Sequence, residues 1–146
     1  MQKGVDYIGV TCGCLCRHPD GRILLQKRGP KNCDEVGTWD VGGGAVEFGE
    51  YPEDAMKREM KEELGIELKD VEFLGVNTLL RDNNDGKKTH WICFSYTGIV
   101  TNPNDIVILE DGTVDDFGWF DIKTLPNPLH TIVPMVLKMK ENKKDS

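Results

Sequence analysis

A chain of 146 residues, 38% hydrophobic and 29% charged, has the size and composition of one ordinary globular domain, which excludes a disordered or fibrous protein. A net charge of -7 and a pI near 4.9 exclude a duplex nucleic-acid binder built on a basic face. No apolar run reaches the length of about 18 residues that a bilayer-spanning helix needs, and MQKGVDYIGV lacks a secretory apolar core. These observations set the expectation of a single domain over 1–146, cytoplasmic, with no membrane partner. The five cysteines fit that compartment: the number is odd and Cys12, Cys14 and Cys16 are clustered, unlike a secreted disulfide framework.

In chain order, residues 5 to 16 and 22 to 28 are rich in β-compatible residues around the turn His18-Pro19-Asp20-Gly21, which predicts a hairpin. Cys12, Cys14 and Cys16 alternate along the first strand, so they share one face; burial in the core is the expected reason, not a soft-metal site. Residues 29 to 38 are expected to form a loop, and Gly42-Gly43-Gly44 lets a phosphate-sized ligand approach the backbone. Pro52 suits a first helical turn, Glu53 and Asp54 complement the helix dipole, and Gly65 is a terminator, which predicts a helix over 52–64. Strands are expected over 67–80 and 88–100, joined by the turn at Asp82 to Gly86. A loop rich in Asp, Asn and Pro over 101–116, a short strand with Trp119 and Phe120, and a helix from about 131 to 140 complete the chain.

The predicted helix carries the chemistry. At about 100° per residue, Glu59, Glu62 and Glu63 fall in one arc, while Met56, Met60 and Leu64 fill the neighbouring arc. Three carboxylates at that spacing repel one another, at a few tenths of a kcal/mol per pair, and a divalent cation would remove the penalty. Hard oxygen ligands at this density suit Mg2+, with Mn2+ as a substitute.

From Gly44 the chain reads GAVEFGEYPEDAMKREMKEELGI. This resembles the box of the Nudix hydrolase family, of the MutT-like kind, with Gly44, Glu50, Arg58, Glu59, Met60, Glu62, Glu63, Gly65 and Ile66 at its defining positions. LLQKRG and GTWDVGGG before the box, and FGWFD after it, are similar to the family's pattern as well. The resemblance implies an α/β fold, an α/β/α sandwich with a central mixed β-sheet. It implies that Glu59, Glu62, Glu63 and the backbone carbonyl near Gly43 bind Mg2+, and that Glu50 and Arg58 form an ion pair that orients the helix. It further implies attack of a metal-activated water on a phosphoanhydride of a nucleoside diphosphate derivative. The general base is Glu62 or Glu63, or a carboxylate outside the box among Glu110, Asp115 and Asp116.

Arg28 matches a position where the family commonly places a basic residue toward the substrate phosphates, and Trp39 is a candidate for stacking on a base, against the alternative of a core tryptophan. Marks of the ADP-ribose and dinucleoside polyphosphate subfamilies are missing: position 80 is Leu, 81 is Arg, 82 is Asp and 83 is Asn. The favoured expectation is therefore an NTP or dNTP pyrophosphohydrolase acting on a small-molecule nucleotide, as monomer or homodimer. ADP-ribose or nucleotide-sugar hydrolysis is the alternative, followed by a nucleotide-binding domain without turnover. An isoprenoid diphosphate isomerase ranks below these, because its catalytic cysteine context is missing.

Overall fold

The computed structural model describes residues 1–144. Seven strands and two helices follow in the order β1 (Gly9–Arg17), β2 (Ile23–Arg28), β3 (Trp39–Asp40), β4 (Gly43–Ala45), α1 (Pro52–Leu64), β5 (Leu68–Asp82), β6 (Lys88–Val100), β7 (Val114–Phe120) and α2 (Ile132–Lys144). One mixed sheet runs β3-β2-β1-β6-β5, with β4 paired to β1 and β7 to β2. Only β1 and β6 are parallel among these pairings; the others are antiparallel. Among the described residues, no helix is long and apolar enough to cross a membrane.

The period of two in β1 sorts its side chains to opposite faces. Cys12, Cys14 and Cys16 join Met56, Met60 and Leu64 of α1 in one buried cluster, whereas Leu15 joins Val133 and Val136 of α2 in another. The sheet is thus covered on both faces, which gives the α/β/α sandwich. Burial pushes the Cys12 thiol up to about 12, so it packs as a small apolar group.

Helix α1 spans the predicted residues, and Gly65 ends it in a left-handed conformation at φ 69°. Burying Met56, Met60 and Leu64 contributes about 2 kcal/mol each. That exceeds the few tenths of a kcal/mol per pair lost to carboxylate repulsion, so the acidic stripe does not prevent the helix.

Several boundaries differ from expectation. The first strand begins at Gly9, because residues 2–7 fold into a turn in which Gly4 N–H bonds Tyr7 C=O. Strand β7 begins at Val114, inside the segment expected to be a loop, because 114–120 finds a partner in β2 through pairs such as Lys27 with Asp116. Asp115 and Asp116 therefore sit on a hydrogen-bonded strand and not on a swinging loop.

Candidate active site

The three box carboxylates leave α1 from one side but enter different environments. The Glu63 side chain is buried, at 3% exposure, where Gln26 Nε2 donates to its Oε2 at 2.8 Å and the Gly43 amide donates to its Oε1 at 3.2 Å. Burial pushes its carboxyl up to about 8, aided by the neighbouring charges of Glu59 and Asp40. Glu59, with a side chain 16% exposed, lies over the Cα of Gly44; burial raises its carboxyl too, and the charges of Glu62 and Glu110 add to the effect. Glu62 is the most open of the three, at 48% exposure.

Arg58 ties this cluster together. Its Nε and Nη2 donate to the two oxygens of Glu50 at 2.7 and 3.0 Å, in a side-on bidentate pair. Nη1 donates to Glu59 at 2.9 Å and to Glu62 at 3.2 Å, and Nη2 also reaches the Ala45 carbonyl at 3.3 Å. Arg58 holds the Glu50 carboxyl down to about 2. One guanidinium thus clamps the loop before α1 to the helix itself.

The glycine run faces these acids across a narrow gap. Thr11 Oγ1 donates to the Gly44 carbonyl at 2.8 Å, and the Cys14 amide donates to Gly42 C=O, which fixes β4 against β1. A Cβ on Gly44 would lie 2.6 Å from each oxygen of Glu59. Gly44→Ala should therefore displace that flexible carboxylate while sparing the backbone, lowering kcat at least about 10-fold with little change in Tm. Steady-state kinetics beside a thermal melt checks this, and an active variant would place Glu59 outside the chemistry.

Glu59 and Glu62 share the Arg58 Nη1 as donor, and Glu63 is a buried carboxylate met by only two neutral donors. That donor set fits a hard divalent cation, which would supply the charge that burial withholds.

A cavity of about 300 Å3 opens beside Gly42, Gly43 and Gly44 and continues toward Arg28, Arg81 and His130. Arg28 lines it, but its guanidinium is engaged: Nη2 donates to Asp34 at 2.8 Å, Nη1 to Asp40 at 3.1 Å, and Nε to the Asp34 carbonyl. Trp39 does not line the cavity; it packs edge-on against Phe120, 5.3 Å between ring centres, in the cluster beneath α2. The tryptophan on the cavity wall is Trp91, laid across Gly4 and Gly9. The parallel pairing of Gly9 with Trp91 puts it there, a long-range register that alternation within either strand does not reveal.

Among Glu110, Asp115 and Asp116, the charge of Glu110 helps to raise the Glu59 carboxyl. Asp116 accepts the Phe117 amide and Asp115 lies beside Gly29, both on β7. Ligand atoms of Asp34, Glu35 and His130 lie within 4.8 Å of one another, which is the spacing of a metal cluster. Arg81 already sits among them, with Nη2 3.2 Å from Asp34 and Nη1 2.8 Å from Glu35, so an arginine supplies the positive charge there. Burial opposes ionisation of Glu35, yet hydrogen bonds from His130 and Thr131 hold its carboxyl below the usual range.

The same architecture recurs in known proteins. A MutT Nudix hydrolase from Burkholderia pseudomallei superposes with a TM-score of 0.79 at 33% identity, covering 92% of this chain and 98% of that one. The Bacillus subtilis protein YvcI, an uncharacterized Nudix hydrolase, is 27% identical over 123 residues, 84% of this chain and 72% of its own length. CTP pyrophosphohydrolase of Escherichia coli is 50% identical over 48 residues, 33% of this chain and 35% of that protein. The NUDIX domain model matches residues 8–138, and with this sheet, these two covering helices and the complete box, the chain belongs to the Nudix hydrolase family.

Proposed function

We propose that the protein is a Mg2+-dependent nucleotide pyrophosphohydrolase that cleaves a nucleoside triphosphate, with water, to the monophosphate and pyrophosphate. The observation that carries this is the placement of Glu59 over Gly44 and of Glu63 on the Gly43 amide, with Glu62 tied to Glu59 through Arg58, beside a cavity that the same glycine run lines. Mg2+ would be held by Glu59, Glu62, Glu63 and the carbonyl of Gly43, and when bound it activates water and offsets charge developing on the phosphates.

The chain's own residues supply positioning. Arg58 and Glu50 fix the helix and the loop before it, so the carboxylates keep one geometry through turnover. Gln26 and the Gly43 amide hold Glu63 in place. Either Glu62, half-exposed, takes the proton of the attacking water while Glu59 and Glu63 carry the metal, or Glu110 does so with all three box carboxylates on the metal. The strand positions of Asp115 and Asp116 weigh against them as the base. Arg28 contributes to the substrate end of the cavity through Asp34 and Asp40, which its guanidinium holds.

Incubation with Mg2+ and a panel of NTPs, dNTPs, ADP-ribose and nucleotide sugars, with identification of the phosphate products, tests the reading. Monophosphate and pyrophosphate should appear from a triphosphate, and a chelator should abolish the reaction. Retained nucleotide binding with no product from any substrate would make the chain a binding domain instead.

A further inference from the structure

The two helices cover the sheet unevenly. Helix α1 packs chiefly on β1 and β4, and α2 packs on β5 from the opposite face. The α1 side of β5, and of the part of β6 beside it, is left open. Strand register identifies the side chains there. Ile92 and Phe94 of β6 lie between Val10 and Cys12 of β1 on one side and Thr78 and Val76 of β5 on the other. An irregularity in the register between Phe73 and Gly75 keeps Phe73 on this side too, where its ring meets those of Phe94 and Tyr96 at 6.2 and 5.4 Å between centres. Leu80 pairs with His90, and both line a hollow with Ile8.

This face is apolar and exposed at once. Exposure runs from 37% at Val10 through 43% at Phe73, 46% at Val76 and 53% at Ile8 to 71% at Leu80. Thr78 and His90 are polar, but no Asp, Glu, Lys or Arg lies among these residues. Charges stand at the border as pairs of both signs, Asp82 with Lys88 at 3.2 Å and Glu53 with Lys57 at 3.1 Å. Strand β5 is also an edge of the sheet, and residues 73–80 include neither a charge nor a proline of the kind that blunts an exposed edge.

The occupant that fits is a second copy of the chain. At these exposures the five side chains present on the order of 400 Å2 of apolar surface, close to the apolar share of the ~800 Å2 that each partner buries in a standard interface. A two-fold axis brings residues near it against their own equivalents, so a charge at the centre would meet a like charge. Here the centre is uncharged, and the border supplies Asp and Lys that can exchange partners across the axis. We propose that the open α1 side of β5 and β6 is the interface of a two-fold homodimer, in which the two sheet faces pack about 10 Å apart. Neither substrate nor metal is needed to form it.

Sedimentation velocity of the full chain over about 1–100 µM tests this. A dimer should predominate at the upper concentrations. Val76→Lys with Leu80→Lys sets like charges face to face and should raise the dimer Kd at least about 100-fold, with circular dichroism unchanged because both side chains are already exposed. Ile122→Lys, at an exposed position just beyond β7, should leave the dimer intact. Should the double variant not fold, Leu80→Ser decides, with an expected rise in Kd of at least about 10-fold. A monomer at every concentration, a dimer indifferent to the β5 substitutions, or one lost equally in Ile122→Lys would overturn the interface. A monomer that binds phosphatidylcholine vesicles, and releases them with Val76→Lys and Leu80→Lys, would overturn it too and give the face to a lipid surface.

Discussion

Glu63→Gln should lower kcat by at least about 100-fold while the protein stays folded. Loss of the ionised oxygen removes a hard ligand from the centre of the cluster, and the amide cannot replace its charge. The fold tolerates the exchange for a specific reason. The amide oxygen can still accept from Gly43 N–H, and the new amide nitrogen can donate to Gln26 once that side chain turns over. Gln26 is free to do so because its Oε1 is buried with no partner. Burial, which pushes the Glu63 carboxyl up to about 8, already disfavours its charged form without metal, so a neutral amide there costs the metal-free fold little. Steady-state kinetics with a thermal melt checks both halves; full activity would move the metal site away from α1.

Gly43→Ala acts on the opposite side of the gap and should act through stability. Gly43 has φ 151°, a conformation other residues rarely adopt, and a Cβ there would fall on the Cys12 carbonyl oxygen. Backbone cannot yield as Glu59 can, so β4 must part from β1. A loss of about 3 kcal/mol or more is expected, read as a lower urea midpoint with little change in slope. An unchanged midpoint would mean that β4 is not seated on β1 as described.

Local signals in the sequence identified the parts of the site that depend on local structure. Pro52, Glu53, Asp54 and Gly65 bracket α1, and its two stripes follow from helical geometry alone. The cysteine stripe followed from strand alternation and lies in the core beneath α1. The ends of the cavity were hidden because they depend on pairing between distant segments. Arg81 and His130 are 49 positions apart, and Arg81 meets Asp34 from the far end of β5. Nothing within a few residues of Arg28 announces that Asp34 and Asp40 will both claim it. For Asp115 and Asp116, an acidic composition concealed a strand that β2 recruits. The pair Glu50–Arg58 was implied by family resemblance, and its bidentate form is visible only in three dimensions.

Helix α1 presents Met56, Met60 and Leu64 to the sheet and Glu59 and Glu63 to the glycine run from a single rotational setting. Inserting or deleting one residue between Met56 and Glu59 would turn everything downstream by about 100°. Such a change would drive carboxylates toward the sulfur atoms of Cys12 and Cys16 and swing the apolar stripe toward solvent. Folding and ligand placement are therefore inherited together along this segment: substitutions can separate them, but a change of length cannot.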